Sequence, residues 1–357
     1  MDVDQLLQLL RNDHGDRIND VAALIRMLHE HHEANNNDLF RDMLHEIGQL
    51  AAAVALDAFG HLFGDGEEAP VQPVPLQIPE PLRPTSLNEL IQNITDAAQG
   101  GNTIKAVGTQ HSVEWTDIGH IDGTQIDMSE LNDVIHINRN VLNAVNQEML
   151  DNRMICCFEA GATLAHVQEY LWPLGFRTTR NPERYRVLPN QTGCTNLSLS
   201  GTIATGAHGN GLTKPIIADM VLSFLLLTVN ANGDVVQNQI EPEDGITDQQ
   251  AFEAIHPEKN LIQDDNIFQA ALVNIGGMGI VYSYTFRTVN AFFLTENRQF
   301  VTWEEAQDEI PELYNRNINE QEPVEGNLHS FEIFVNPYPM EPQGQVGVVI
   351  CTLEYSN

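Results

Sequence analysis

The sequence predicts an α+β protein with a helical segment at its start, and three observations carry that expectation. Over residues 1–63 apolar side chains recur at helical spacing. Residues 64–84 are crowded with prolines. From Thr85 onward, short apolar runs alternate with capped helical patterns and glycine-rich turns. That mixture is the grammar of an α+β domain.

Leu6, Leu7, Leu9 and Leu10 open the helical segment. Ile18, Val21, Ala22, Ile25 and Leu28 then fall three or four residues apart, so they share one helix face. Asn35-Asn36-Asn37-Asp38 breaks the pattern, and Leu39, Phe40, Met43, Leu44, Ile47, Leu50 and Val54 resume it. A helical hairpin or small bundle follows, suited to a protein partner or to self-association. His29, His31, His32, His45 and His61 invite a metal reading. However, His29-Glu30-His31-His32-Glu33 lacks the second histidine of a His-Glu-x-x-His motif. Solvated helix faces explain these histidines better, and no metal is expected. Prolines at 70, 73, 75, 79, 81 and 84 make 64–84 a stiff, extended linker and a domain boundary.

In the mixed region Ser86 caps a helix through Leu87, Leu90, Ile91 and Ile94 that stops before Gly100-Gly101. A strand over 103–107 runs into the polar turn Gly108-Thr109-Gln110-His111-Ser112, and strands are expected at 124–128, 133–138 and 154–159. Gly161-Ala162-Thr163 starts a helix carrying Leu164, Val167, Tyr170 and Leu171. A long apolar strand covers about 220–229, and Asn232-Gly233 signals a type I′ hairpin returning through Val235. Asp265 caps a short helix. Gly276-Gly277-Met278-Gly279 then leads into a half-buried strand, in which Ile280, Tyr282, Tyr284 and Phe286 alternate with Val281, Ser283, Thr285 and Arg287. A helix at 303–315 and strands at 329–335 and 346–354 complete the pattern.

Charge narrows the function. The formal net charge is -33, and Lys105, Lys214 and Lys259 are the only lysines. Such a surface repels nucleic acid and anionic lipid, so neither is an expected partner. Among Cys156, Cys157, Cys194 and Cys351 there is no Cys-x-x-Cys pair, which argues against a zinc site or a disulfide framework. The start Met1-Asp2-Val3-Asp4 does not read as a signal peptide. No stretch approaches the roughly 18 apolar residues of a membrane span. A cytoplasmic location is the resulting expectation.

The centre of the chain is Gly201 to Gly211, where only Ile203, His208 and Asn210 exceed threonine in size. Four glycines here let a ligand approach the main chain closely. As a crossing between strands, the run suits a phosphate cradle built from backbone N–H groups. By itself it is equally well explained as a structural turn. The Gly108–Ser112 turn has the same small, polar character, and two such turns suggest one extended ligand clasped from two sides.

Taken in order, Gly108-x-x-His111-Ser112, Gly161-Ala162-Thr163-Leu164, Gly201-x-x-Ala204-Thr205-Gly206-x-His208-Gly209-x-Gly211 and Gly276-Gly277-x-Gly279-Ile280-Val281 resemble a known family. It is the FAD-binding domain of the vanillyl-alcohol oxidase / p-cresol methylhydroxylase (PCMH-type) flavoprotein superfamily. Within it the nearest branch is the sugar-alcohol and aldonolactone oxidases. The resemblance covers about residues 75–290. Phe331-Glu332-Ile333-Phe334-Val335-Asn336-Pro337 further resembles the opening strand of that branch's substrate domain.

The resemblance implies a two-subdomain PCMH-type FAD-binding domain over 85–290, divided near 175/176, and a partial α+β cap (substrate) domain over 291–357. FAD is the implied cofactor. Gly108, Thr109, Gln110, His111 and Ser112 would make the first diphosphate contacts, with His111 placed to bond the flavin covalently. Thr192, Gly193, Ser198, Thr205, Gly206, Gly209 and Asn210 would line the adenosine-diphosphate and flavin side. His208 would either donate to phosphate or brace its loop, and Ile280 would meet the adenine end through its backbone. No cysteine stands at the second attachment point of doubly linked relatives, and Cys194 reads as a small buried residue.

The implied activity is oxidation of a CH–OH group of a polyol, sugar lactone or similar alcohol, as in D-arabinono-1,4-lactone or alditol oxidases. Oxygen or another acceptor would reoxidise the flavin. The His-Trp-x-Lys-type motif of related oxidases is missing, and fewer strands follow Ala291 than a cap domain needs. A truncated chain or a reduced relative is therefore expected, with Glu332 and His329 as candidates for the catalytic base. The alternative is a flavin-binding but catalytically vestigial protein that acts as a binding module. A cell-wall enolpyruvyl-sugar reductase would share the FAD domain, but His111 favours the oxidase branch.

Overall fold

The structure, a computed structural model, describes residues 80–109, 111, 123–173, 182–340 and 345–356. The helical segment expected over 1–63 and nearly all of the 64–84 linker lie outside the described residues. The described part falls into two compact units. One joins the described residues of Pro75–Thr295 to Gln321–Ser330 and the chain end from Glu354; the other joins Glu296–Glu320 to Phe331–Leu353.

The larger unit opens with α1 (Leu87–Gln99), started by the Ser86 side chain accepting the Glu89 N–H. Glu89 in turn accepts the N–H and hydroxyl of Thr85 at 2.8 and 2.9 Å. These contacts hold the Glu89 carboxyl below its ordinary range. Leu90, Ile94 and Ala97 are the buried face of the helix. β1 (Thr103–Val107) and β2 (Gly123–Asp127) pair in parallel, and Leu82 adds a one-residue parallel bridge to Ile126.

Next come β3 (Val134–Ile135), α2 (Ala144–Asp151), β4 (Ile155–Glu159), α3 (Leu164–Leu171) and β5 (Arg186–Val187). They are followed by α4 (Leu199–Ala204), β6 (Val221–Val229), β7 (Val235–Glu241), α5 (Gln249–Ile255) and β8 (Lys259–Gln263). α6 (Asp265–Leu272), β9 (Ile280–Arg287) and β10 (Val289–Asn290) close the series.

The main sheet has the order β3-β4-β9-β6-β7-β8. Its pairs are antiparallel except β7–β8, between which α5 serves as the crossover. The sheet takes β3 and β4 from one side of residue 175 and its other strands from beyond it, so it spans the division expected between subdomains. Phe158, Phe224, Tyr284 and Phe286 of the sheet are fully buried in one core with Leu90 and Ile94 of α1, Leu164 and Val167 of α3, and Leu199 and Ile203 of α4. Each such side chain contributes about 1.5–3 kcal/mol through burial. Tyr282 donates to Glu159 Oε1 at 2.7 Å, and Glu159 Oε2 accepts the Asp133 N–H at 2.9 Å. A single buried carboxylate thereby ties together the edge that β3, β4 and β9 share.

Four sequence expectations are corrected here. β9 is buried on both faces rather than half-buried, because it lies between β4 and β6 and even Ser283 and Thr285 are enclosed. The β6–β7 turn is not type I′: the strands pair from Val229↔Val235, and of the loop residues only Gly233 has a positive φ, +86°. That is a longer loop closed by a left-handed glycine. The cap of α6 is Asp264, whose side chain accepts the Ile267 N–H, while Asp265 is the first helical residue. Finally, the first part of Gly201–Gly211 is not a crossing between strands, because Gly201 to Ala204 belong to α4.

In the remainder of the chain, β11 (Phe293–Thr302), β12 (Leu328–Met340) and β13 (Gln345–Ser356) form a sheet of order β11-β13-β12. α7 (Trp303–Asn319) begins with a reciprocal cap between Thr302 and Glu305. No helix among the described residues is long and apolar enough to cross a membrane.

Candidate functional site

The parallel pairing of β1 with β2 brings the turns after both strands to one end of the small sheet. There Gly108 and Thr109 (after β1), Asp127 and Ser129 (end of β2 and beyond), Gly161 (after β4) and Ser198 (before α4) line a cavity of about 350 Å³. Ser198 is 3% exposed, and among the described residues its Oγ has no hydrogen-bond partner. It does not cap α4, although its carbonyl accepts the Thr202 N–H and hydroxyl at 3.0 and 2.8 Å. A β-carbon at Gly108 would collide with Ser198 Oγ. The glycine keeps open the space that this hydroxyl faces.

A buried hydroxyl without a partner is costly, by about 1–3 kcal/mol, unless a ligand satisfies it. The donor set of hydroxyls and backbone suits the oxygens of a diphosphate, and the volume suits that part of a dinucleotide rather than all of it. The residues present therefore fit FAD at this point. They do so without a lysine on the cavity wall.

The glycine run does not line this cavity, whose wall stops at Ser198, just before α4. Thr205 ends α4, with its hydroxyl donating to the Gly201 carbonyl at 2.8 Å. Gly206 follows at φ +64°, a conformation suited to glycine. The Ile275 N–H donates to the Ala204 carbonyl at 3.0 Å, which docks the Gly276–Gly279 turn onto the end of α4. Two glycine motifs separated in sequence thus meet. Gly209 packs so closely on Asn190 Oδ1 and the Gln191 carbonyl that a β-carbon would overlap both. His208 Nδ1 lies 2.9 Å from the Gly209 carbonyl. Thr192 donates to the Cys194 carbonyl at 2.8 Å, and a β-carbon at Gly193 would face open space. Ile280 is buried and pairs with Leu227 in the main sheet.

His111 is exposed, and its Nε2 lies 3.4 Å from Cys194 Sγ. Cys194 is half-buried, not a buried filler, and it is placed at the residue from which covalent attachment is expected. Gln110 and Ser112 lie outside the described residues.

The two candidates for the base separate. His329 is 4% exposed, packed between Phe292 and Tyr355. Its Nε2 lies 3.1 Å from the Pro189 carbonyl and must donate there, leaving Nδ1 to accept from Ser330 Oγ at 3.0 Å. Both nitrogens are engaged, so the ring has none free to take a proton from a substrate. Burial first, and the Lys214 charge last, push its pKa below the usual 6.5, although the Pro189 carbonyl opposes them. The ring is neutral in the folded protein and protonates more readily when unfolded. Its contribution to stability is fully present above the unfolded value of about 6.5 and is lost as the pH falls from there through the lower folded pKa. Melting temperatures taken from pH 7.5 down to 5 should fall more steeply for the parent chain than for His329→Asn; parallel curves would contradict this. Glu332 is half-buried on β12 and belongs to the other compact unit.

Sequence reading did not find Asp127, Ser129 or the role of Gly161. Gly161 was visible as a helix start, but not as the point where the backbone meets the Met128 carbonyl.

Comparison with known proteins agrees with this geometry. Residues 81–239 match the family described as FAD binding domain. The L-gulono-1,4-lactone dehydrogenase of Mycobacterium tuberculosis is 27% identical over 257 residues, covering 72% of this chain and 46% of that protein. The L-gulonolactone oxidase of Bos taurus is 26% identical over 228 residues, covering 64% of this chain and 41% of its own length. The D-arabinono-1,4-lactone oxidase of Kluyveromyces lactis is 23% identical over 224 residues, covering 62% and 34% respectively. The chain spans about half or less of the length of these relatives. Residues 81–239 thus match an FAD binding domain, and the chain is similar over that region to aldonolactone oxidases and dehydrogenases.

Proposed function

We propose that the protein is an FAD-dependent oxidoreductase that oxidises a CH–OH group of a polyol, sugar lactone or similar small alcohol. The observation that carries this reading is the cavity between Gly108 and Ser198, whose buried hydroxyl lacks a partner within a matched FAD binding domain. The lactone specificity of the relatives supports the alcohol class.

Bound FAD would supply the hydride acceptor, and oxygen or another acceptor would later remove the electrons. The chain's own residues would hold and orient it. Ser198 and the backbone around Gly108 and Thr109 would meet the diphosphate. Thr192, Gly193, Thr205, Gly206, Gly209 and Asn210 would border the rest of the cofactor, with His208 bracing that loop and Ile280 near the adenine. His111 would tether the flavin through its imidazole. A base is still needed for the hydroxyl proton. His329 does not supply it, since both of its nitrogens are engaged.

Acid precipitation of the purified protein tests the tether. The yellow colour should stay with the pellet, and His111→Ala should move it to the supernatant. Colour in the supernatant from the parent chain would reject the bond. Intact mass of a Cys194→Ala variant shows whether the neighbouring thiol takes part: a single link through His111 predicts an unchanged flavin adduct. Turnover is tested separately, by following peroxide and flavin bleaching with a panel of polyols and aldonolactones. A bound flavin that no alcohol bleaches would reject the enzymatic reading in favour of a binding module.

A further inference from the structure

We infer that Arg83, held in place by Asp127, is the cation that receives the diphosphate of FAD and makes the cavity prefer FAD over flavins without a diphosphate. The inference rests on the FAD reading of the same cavity.

Arg83 arrives there through backbone pairing. The Leu82 N–H donates to the Gln125 carbonyl at 2.9 Å, and the Asp127 N–H donates to the Leu82 carbonyl at 2.8 Å. This parallel bridge sets the next residue, Arg83, beside the last residue of β2. Arg83 Nε then donates to Asp127 Oδ2 at 2.9 Å, while Asp127 Oδ1 accepts the Ser129 N–H at 2.9 Å. Both carboxylate oxygens are engaged, and the Asp127 side chain is 18% exposed. The guanidinium is aimed by this contact, but only Nε is used. Among the described residues its two terminal nitrogens make no hydrogen bond, and the side chain is 65% exposed.

Charge complementarity says what those nitrogens are for. Arg83 is the one permanent cation among the described residues that line the cavity. The same wall carries the buried, partnerless hydroxyl of Ser198 and the open backbone at Gly108. In a chain of formal charge -33, a dianionic diphosphate meets long-range repulsion, and a local cation must offset it. A guanidinium presents two parallel N–H groups to two phosphate oxygens, a fit that a lysine point charge lacks. Asp127 serves as its positioning residue. Without Arg83, that carboxylate would face the phosphate uncompensated.

The test uses the full chain carrying His111→Ala, in which the flavin is free to exchange. FAD and riboflavin affinities are measured by quenching of flavin fluorescence. Adding Arg83→Met should weaken FAD by at least about tenfold, leave riboflavin within about twofold, and flatten the salt dependence of FAD binding. Arg83→Lys should recover part of the loss. Asp127→Asn in the Arg83→Met background should restore some FAD affinity by removing the exposed carboxylate. Unchanged FAD binding in Arg83→Met would overturn the assignment, and so would an equal loss for FAD and riboflavin, which marks a structural role. If the His111→Ala chain binds neither flavin, the FAD reading falls and takes this inference with it, a result distinct from both.

Discussion

Replacing Gly161 with alanine should lower the melting temperature by roughly 10 °C and deplete the purified protein of flavin. A β-carbon at this position would run into the Met128 carbonyl oxygen, with the Leu131 carbonyl oxygen only 2.7 Å away. Both obstacles are backbone, so no side chain can swing aside. The turn that carries them is itself fixed: the Leu131 N–H donates to the Met128 carbonyl, and the Gly161 N–H donates to Leu131, each at 2.9 Å. Either that turn or the start of α3 must move. Overpacking of this kind costs up to about 3 kcal/mol. For a domain of this size that corresponds to roughly 10 °C. Met128 and Ser129 line the cavity together with Gly161, so the shift also deforms the cofactor cleft. Scanning calorimetry and the flavin-to-protein absorbance ratio check the two effects. A parent-like melt with full flavin content would show that the turn yields freely.

Glu241→Ala should be nearly as damaging to stability but should spare flavin chemistry. Glu241 is 0% exposed at the end of β7. Its Oε1 accepts the Thr247 hydroxyl at 2.5 Å; its Oε2 accepts the Thr247 N–H at 3.0 Å and Gln263 Nε2 at 3.1 Å. Gly245 lies so close that a β-carbon there would strike the carboxylate. Truncation leaves enclosed donors without acceptors, each costing about 1–3 kcal/mol. The net loss should be about 3 kcal/mol, read as an earlier urea midpoint. Glu241→Gln should not rescue it, because an amide presents a donor where donors already converge. Full recovery by glutamine would show that only the side-chain volume matters.

These two sites also show where the sequence was informative. Elements with strong local signals were legible: Ser86 caps its helix, a helix starts after Gly161-Ala162-Thr163, and the apolar run of β6 became a central strand. α2 was missed because Ala144–Asp151 carries too few apolar residues to set a period. Asp264 and Asp265 are chemically identical as caps, and only the folded backbone decides which carboxylate reaches the Ile267 N–H. β9 read as half-buried because Ser283 and Thr285 are polar, yet both are enclosed by strand neighbours from distant parts of the chain.

The candidate site followed the same rule. The glycines of the candidate loops were visible as residues that must be small, and the order of those motifs pointed to FAD. The partners that make each glycine necessary were not visible. Ser198 facing Gly108, Met128 behind Gly161 and Cys194 beside His111 are tertiary contacts that no local spacing encodes. Arg83 and Asp127 are likewise joined only by a parallel bridge across the small sheet.

The order of strands in the main sheet has a consequence for how the protein comes into being. β4 does not pair with its neighbours in sequence beyond β3; Cys157 waits for Thr285 and Glu159 for Ser283. During synthesis, the loop carrying His111 and the glycine run therefore leaves the ribosome well before the strand that completes the core behind it. Pairings between such distant segments form slowly, because the intervening chain must first be ordered. Completion of the core behind the cavity is accordingly expected to be late, timed by the arrival of β9.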